Sequence, residues 1–131
     1  MPLENFIPSD HPNLKEINTV DQLASHNGSF ILTFGAPYCG HCQKEFKDAL
    51  VPLCNDKSLK KKGTKCFAVD GTTEDGQKFI YEFFGDSFKL KGFPTNIMCR
   101  PNSQKGLECA PLEGEYPKEV LAEIAKKMNI M

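Results

Sequence analysis

The feature that most constrains the fold is a short apolar run that leads directly into two cysteines. The run SFILTFGA, residues 29–36, combines apolar and β-favouring residues and is bounded by glycines, as is typical of a strand buried on both faces of a sheet. The cysteines follow in APYCGHCQKEF, and helix-forming residues come directly after them. This stretch predicts a buried strand followed by a helix that begins at or near Cys39 and Cys42.

Similar signals alternate along the rest of the chain. Strands are predicted in LKEIN, TKCFAVD, LECAPLEG and the part of FKLKGFPTNIMC that follows Pro94, and the last two strands of the chain pair as a hairpin around RPNSQKG. Helices are predicted in VDQLASH, in HCQKEFKDALVPLCN with DKSLKKKG following it, in TTEDGQKFIYEFFG and in YPKEVLAEIAKKM. Pro52 should bend or break the second of these helices, because it lacks a backbone donor. On the last helix, one predicted apolar face comprises Val120, Leu121, Ile124 and Met128.

The order of these elements predicts an α/β domain with a mixed central sheet of about five strands, flanked by about four helices. Strand–helix–strand units pair in parallel, and the closing hairpin adds antiparallel strands. With 131 residues, one domain over residues 14–131 is expected, after an extended arm over residues 1–13 that contains Pro2, Pro8 and Pro12.

Charge and hydropathy limit the classes of partner. The 16 basic and 17 acidic residues nearly cancel, so no nucleic-acid or membrane partner is predicted, and a monomer is expected. No apolar run approaches the ~20 residues that cross a bilayer. The N-terminus lacks the basic start and apolar stretch of a signal peptide, which indicates an intracellular protein or, if a signal was removed, one of the endoplasmic reticulum or secretory pathway.

The spacing of Cys39 and Cys42 at a helix start predicts a pair of sulfurs that switches between dithiol and disulfide. Both sulfurs fall on the first turn, close enough to bond. Cys39 lies at the helix end, where unpaired N–H groups and the helix dipole favour the thiolate, whereas Cys42 lies one turn in and more deeply buried. Cys39 is therefore the predicted attacking sulfur and Cys42 the resolving one. His41 should stabilise the reduced pair, and Gly40 should allow the tight entry into the helix.

Two other roles for the pair are weaker. A structural zinc site needs four ligands, but there is no second C-x-x-C, and His11, His26 and His41 are scattered. A purely structural disulfide across so short a loop would stabilise little. Neither a metal nor another cofactor is therefore predicted.

The other four cysteines are less informative. Cys99 and Cys109 flank the hairpin turn, and the hypothesis is that they lie close to each other across adjacent strands. Cys54 and Cys66 are predicted to be buried thiols, because a free cysteine usually behaves as a small buried hydrophobe.

Taken together, APYCGHC, CFAVD, KGFPT and YPKEVLAEIAKKM resemble the catalytic domains of protein disulfide isomerase, within the thioredoxin superfamily. The resemblance implies a thioredoxin fold, protein substrates that carry thiols or disulfides, and a redox partner that recycles the pair. It also implies that Pro94 is cis and faces the cysteines, that the backbone of Phe93 pairs with an extended substrate chain, and that Tyr38 replaces the usual tryptophan as an aromatic platform.

The sequence departs from this family at the residues that handle protons. Thr33 stands where the family usually keeps a buried acid that moves protons for the second cysteine, so either water or another group must serve, or turnover is slow. Glu115 follows Gly114 where the isomerases commonly have an arginine, and Lys47 stands in place of the expected helix-kinking proline. Thr33 and Glu115 weaken the case for efficient isomerisation in particular.

A set of aromatic residues precedes or adjoins Pro94 and has two possible roles. Most are expected to pack in the core, whereas Phe88 and Phe93 are the better candidates for a substrate surface; the set is Phe79, Tyr81, Phe83, Phe84, Phe88 and Phe93.

The predicted function is that of a thiol–disulfide oxidoreductase acting on proteins. The motif favours an oxidant, whereas the missing signal peptide favours a reducing compartment, so the direction of electron transfer is open. The alternative is a redox-weak binding or chaperone module that keeps the fold and holds unfolded or partner chains.

Overall fold

The computed structural model describes residues 13–36, 39–85, 90–104 and 106–131. Nearly all of the predicted N-terminal arm, as well as Tyr38 and Phe88, lies outside these ranges. Within them, the strands are β1 (Leu14–Glu16), β2 (Phe30–Gly35), β3 (Lys65–Asp70), β4 (Thr95–Pro101) and β5 (Leu107–Glu113). The α-helices are α1 (Val20–Ala24), α2 (Gly40–Glu45), α3 (Val51–Cys54), α4 (Lys57–Lys61), α5 (Glu74–Phe84) and α6 (Lys118–Lys127).

The five strands form one mixed sheet in the order β1-β3-β2-β4-β5. Strand β3 runs parallel to both β1 and β2, whereas β4 runs antiparallel to β2 and β5. The predicted α/β architecture is thereby confirmed, including the parallel crossovers and the antiparallel closing hairpin. Strand β2, which leads to the cysteine pair, lies in the centre of the sheet.

Helices cover both faces of the sheet, and the alternation of side chains along each strand divides the core between them. On β2, Ile31 packs into one core cluster with residues of α2, α3, α4 and α6. Its neighbours Phe30 and Leu32 pack into a second cluster with residues of α1 and α5. Thr33, two positions after Ile31, therefore shares the face that α2 covers.

The helix that follows the cysteines continues past Pro52 without ending. A π-helical turn, Phe46–Leu50, joins α2 directly to α3, whose second residue is Pro52. A proline ring conflicts with the carbonyl group of the preceding helical turn, and a π-helical turn changes the hydrogen-bond ladder at that place. The predicted disruption is therefore a local change of helix type.

One disulfide joins two strands of the sheet, and another joins a helix to a strand. Cys99 and Cys109 face each other in the register of β4 and β5 and are bonded, which confirms that they lie close to each other. The prediction that Cys54 and Cys66 are thiols was wrong, because they form a second disulfide. Packing of α3 against β3 brings their Cα atoms to 6.2 Å, within the range of a disulfide, and this contact arises only from the tertiary fold.

Three of the four residues of the predicted apolar face of α6, Leu121, Ile124 and Met128, pack in or against the core. Leu121 and Ala125 are buried, whereas Val120 is 37% exposed. Position 120 is about 100° of helical rotation from position 121, and it falls at the edge of the face that meets the core. Across the described residues, no helix has the length and apolar character needed to span a bilayer.

Most of the described aromatic residues named above pack in the core, as expected. Phe79 is buried, and Phe83 and Phe84 pack around it. Tyr81 is the exception among the described helical aromatics, since it is 61% exposed on α5.

The start of α5 packs against the end of β3 so closely that Gly76 has no room for a side chain. A Cβ atom built on Gly76 would lie 2.0 Å from the carbonyl oxygen of Asp70. On α2, by contrast, a Cβ atom built on Gly40 would have no neighbouring atom within 4 Å.

We expect the two glycine-to-alanine substitutions to change stability in opposite directions. Gly76→Ala should lower the free energy of unfolding by about 1–3 kcal/mol, because backbone must move to relieve the clash. Gly40→Ala should raise it by about 0.5–1 kcal/mol, because alanine favours a helix more than glycine does. Denaturant unfolding of both variants checks this, and a stabilised Gly76→Ala variant would contradict the packing described here.

Candidate functional site

The two free cysteines lie on the first turn of α2, as the sequence predicted. Cys39 is the N-cap residue, and the backbone N–H of Cys42 donates a hydrogen bond to Cys39 Sγ over 3.3 Å. Cys39 is partly exposed, whereas Cys42 is completely buried. One sulfur is therefore accessible to a large partner, and the other can be reached only through the first.

The environment of Cys42 opposes its ionisation. Burial raises the pKa of Cys42 from its ordinary value of 9.0 to about 12, and the hydrogen bond with Cys39 and the charges of Cys39 and Glu45 act in the same direction. A thiol reacts as its thiolate, so Cys42 needs a group that removes its proton when it attacks a disulfide.

The loop before β4 lies directly beside Cys39. The peptide bond between Phe93 and Pro94 is cis, and the Cys39 thiol lies 3.8 Å from the carbonyl oxygen of Phe93. Pro94 is buried, and its own carbonyl oxygen accepts a hydrogen bond of 2.9 Å from the N–H of Gly114. The fold thus brings Phe93 and Pro94 to the cysteines, while Tyr38 lies outside the described residues.

The other two predicted motif residues differ in what the structure shows for them. His41 is exposed at the start of α2, and its Nδ1 atom lies 2.8 Å from Oε1 of Glu115. Gly40 occupies an ordinary helical position, and a Cβ atom there would meet nothing within 4 Å. No neighbouring atom therefore requires glycine at position 40.

Glu115 has a partner that the sequence did not suggest. It accepts from His41 and lies 3.7 Å from Nζ of Lys44, which places a carboxylate against the histidine of the cysteine motif. The hydrogen bond from His41, aided by the charges of Lys44 and His41, holds the pKa of Glu115 below its ordinary value of 4.5. Negative charge therefore persists beside His41 at neutral pH.

A buried carboxylate, Glu45, lies one helical turn after Cys42, and sequence reasoning missed it. Glu45 is only 1% exposed. Its Oε1 atom accepts a hydrogen bond from Nδ2 of Asn96 on β4, and its Oε2 atom accepts one from the N–H of Tyr116, each over 2.7 Å. The signal was the helical spacing, since position 45 falls in the buried stripe that includes Cys42, Phe46 and Ala49.

Thr33 belongs to the same buried network. Its hydroxyl group donates a hydrogen bond to Oδ1 of Asn96, the residue that faces it in the register of β2 and β4. Thr33 and Asn96 are both fully buried. Thr33 on β2 is thus connected, through one asparagine, to a carboxylate on α2.

Comparisons with solved structures agree on the architecture. A thioredoxin from Thermus thermophilus superposes with a TM-score of 0.61 at 18% identity, over 88% of this chain and 87% of that one. The first thioredoxin domain of mouse protein disulfide-isomerase A4 superposes with a TM-score of 0.54 at 19% identity, over 86% of this chain and 72% of that one. The chain has the thioredoxin fold.

The sequence of this thioredoxin-fold chain is also similar to a plant protein disulfide isomerase. It is 30% identical to protein disulfide isomerase-like 1-1 of Arabidopsis thaliana over 82 residues, which cover 60% of this chain and 14% of that protein. No family model matches the chain. The likeness supports a relation to the disulfide isomerases, in agreement with the resemblance seen in the motifs.

The contact between His41 and Glu115 makes a measurable prediction about this site of the thioredoxin fold. In a His41→Ala variant, the pKa of Glu115 should rise toward 4.5, because its main stabilising hydrogen bond is removed. Carbon-13 NMR titration of the Glu115 carboxyl group measures this shift. A Glu115 titration that is identical in the variant and the wild type would contradict the contact.

Proposed function

We propose that the protein is a thiol–disulfide oxidoreductase that acts on protein substrates through Cys39 and Cys42. The observation that carries this proposal is the division among the six cysteines. Four are bonded in disulfides, whereas Cys39 and Cys42 are free and lie together at the start of a helix with unequal exposure. Accessible and buried sulfurs on one turn are suited to successive steps of disulfide exchange.

In the reducing direction, the thiolate of Cys39 attacks a substrate disulfide and forms a mixed disulfide, releasing one substrate thiolate. Cys42 then gives up its proton and attacks Sγ of Cys39. A bond forms between the two protein sulfurs, the bond from Cys39 to the substrate breaks, and the second substrate sulfur leaves as a thiolate. Two electrons pass from the protein dithiol to the substrate disulfide, and oxidation of a substrate runs through the same steps in reverse.

Phe93, Pro94 and Tyr38 are the proposed substrate-binding residues. The carbonyl group of Phe93 lies beside Cys39, and an extended chain that pairs with this backbone would bring its own sulfur next to Cys39. This contact is the same in a folded or an unfolded client, because it uses main-chain groups. Specificity would then depend on side chains around the loop.

The direction of electron transfer that we propose is oxidation or exchange of substrate disulfides. Two structural disulfides are typical of proteins that work in an oxidising compartment, which favours that setting over a reducing one. His41 beside the sulfurs favours the reduced pair and so makes its disulfide a better oxidant. A separate redox partner would then have to reoxidise Cys39 and Cys42.

Isomerase activity is a narrower proposal than exchange. Its support is the likeness to protein disulfide isomerase-like 1-1, of which this chain spans 14% of the length. The carboxylate of Glu115, in the place where the isomerases commonly have an arginine, argues for a slower resolving step than in those enzymes.

We expect substitution of the two cysteines to have different effects. Cys39→Ser should reduce turnover of a peptide disulfide to the uncatalysed rate, because the accessible sulfur is lost. Cys42→Ser should instead accumulate a covalent complex between Cys39 and the substrate, because nothing resolves the mixed disulfide. Turnover assays and mass spectrometry of the complexes measure both outcomes.

The matched control removes two cysteines outside the site. Cys99→Ala combined with Cys109→Ala should retain turnover when circular dichroism shows that the variant is folded. If Cys39→Ser keeps the binding of unfolded chains and the biological activity of the wild type, the binding or chaperone alternative replaces the enzyme proposal.

A further inference from the structure

We propose that Glu45 accepts the proton of Cys42 through one bridging water when Cys42 attacks the mixed disulfide, and returns it in the reverse reaction. This inference rests on the proposed function and names the group that the reaction requires. Glu45 and Cys42 belong to the same helix, α2.

Cys42 and Glu45 are placed on the same side of one helix. Residues three apart on a helix lie on the same side, with Cβ atoms about 5–6 Å apart. Cys42 and Glu45 have this spacing on α2, and both face the buried side of the helix. That separation suits a carboxylate and a thiol joined by one water molecule, which is within the reach of a proton-transfer group.

The hydrogen bonds that hold Glu45 leave its carboxylate able to accept another. Its two described hydrogen bonds come from neutral donors, the amide of Asn96 and the backbone N–H of Tyr116. Among the described residues, no cation pairs with it. Each carboxylate oxygen has two acceptor sites, so both oxygens keep capacity for a further hydrogen bond after these two contacts.

Burial and neighbouring charges affect the protonation of both Glu45 and Cys42. Burial, with a smaller contribution from the charge of Glu115, raises the pKa of Glu45 above its ordinary value, although the bonds from Asn96 and Tyr116 act in the opposite direction. The other ionisable groups near the pair include Cys39 at the start of α2, His41 and Lys44, which pair with Glu115. Tyr116 also packs against the core cluster that contains Cys42. Thr33 and Asn96, which complete the network from the sheet, do not titrate.

The raised pKa of Glu45 is closer to the pKa of the Cys42 thiol than that of an ordinary carboxyl group is. A proton acceptor is most effective when its pKa lies near the working pH, and an ordinary carboxylate is too weak a base for a thiol whose pKa is about 12. Proton transfer from Cys42 to Glu45 becomes favourable as the new sulfur–sulfur bond forms. The electron pair of Cys42 then goes into the bond to Cys39, so loss of the proton leaves no negative charge on Cys42.

The step balances without any further reactant. The S–H bond of Cys42 breaks and its proton passes through the water to Glu45, while the electron pair of Cys42 forms the bond to Cys39. The substrate sulfur departs with the electron pair of the bond that breaks. Glu45 then releases its proton to that substrate thiolate or to solvent, which restores the carboxylate.

The test uses the reduced full chain and oxidised glutathione, with acid quenching and mass spectrometry. This experiment separates the reduced protein, the protein carrying glutathione on Cys39, and the protein with the bond between Cys39 and Cys42. The rates of mixed-disulfide formation and of its resolution are thereby measured independently.

In Glu45→Gln, resolution at neutral pH should slow by about a hundredfold, the lower end of the usual contribution of a positioned proton-transfer group, whereas formation should be unchanged. The substitution preserves the volume of the side chain, and the new amide can bond to Asn96 once the asparagine amide is flipped. A purely electrostatic neighbour would have the opposite effect, because removal of its negative charge lowers the pKa of Cys42 and speeds resolution.

The pH dependence supplies a second readout that a purely structural role would not change. In the wild type, resolution should fall as pH decreases through the raised pKa of Glu45 and should level off above it, because only the carboxylate accepts a proton. In Glu45→Gln, resolution should instead rise about tenfold per pH unit with the thiolate fraction of Cys42. If the variant does not fold, the wild-type profile decides, and a rise without a plateau overturns the inference.

Asp48→Asn is the matched control, since it makes the same change from acid to amide at an exposed position in the π-helical turn. It should leave both rates unchanged. Resolution at the wild-type rate in a folded Glu45→Gln variant overturns the role of Glu45 and leaves the proposed function standing. A wild-type protein that forms neither the mixed disulfide nor the bond between Cys39 and Cys42 overturns the proposed function itself.

Discussion

The arrangement of the site depends on one buried polar chain, in which Thr33 bonds to Asn96 and Asn96 bonds to Glu45. These three side chains connect β2 and β4 to α2, and all three are buried. Buried polar groups are costly unless they are paired, so this network fixes how α2 lies on the sheet. Because Cys39 and Cys42 occupy the first turn of α2, the same bonds set the position of both sulfurs relative to Phe93 and Pro94.

Two carboxylates lie near the start of α2, one at the surface and one in the interior. Glu115 lies at the surface, where its contact with His41 moderates the positive charge beside the sulfurs and where solvent and salt weaken its influence. Glu45 lies in the interior, where its charge is the smallest of the contributions that raise the pKa of Cys42. Of the two, the inner carboxylate is the one placed to move a proton during exchange.

The fold and the two sulfurs could be predicted from the sequence because their signals are local. A buried apolar strand, a C-x-x-C at a helix start and GFPT each have a physical meaning within a few residues. The disulfide between Cys54 and Cys66 could not be predicted, because it depends on how α3 packs against β3. Glu45 was not predicted because its bonding partners, Asn96 and Tyr116, are far away in sequence. Glu115 was recognised as a departure, but its contact with His41 depends on a loop far away in sequence.

The most direct measurement is the redox state of each cysteine pair across glutathione buffers of graded poise, read by differential alkylation and mass spectrometry. We expect Cys39 and Cys42 to pass between dithiol and disulfide within this range, while the bonds Cys54–Cys66 and Cys99–Cys109 stay intact, because structural disulfides typically resist reduction by glutathione. Two results would contradict the claim that this chain has one redox-active cysteine pair and two structural disulfides. One is a Cys39–Cys42 pair whose redox state never changes, and the other is three pairs that are reduced over the same range.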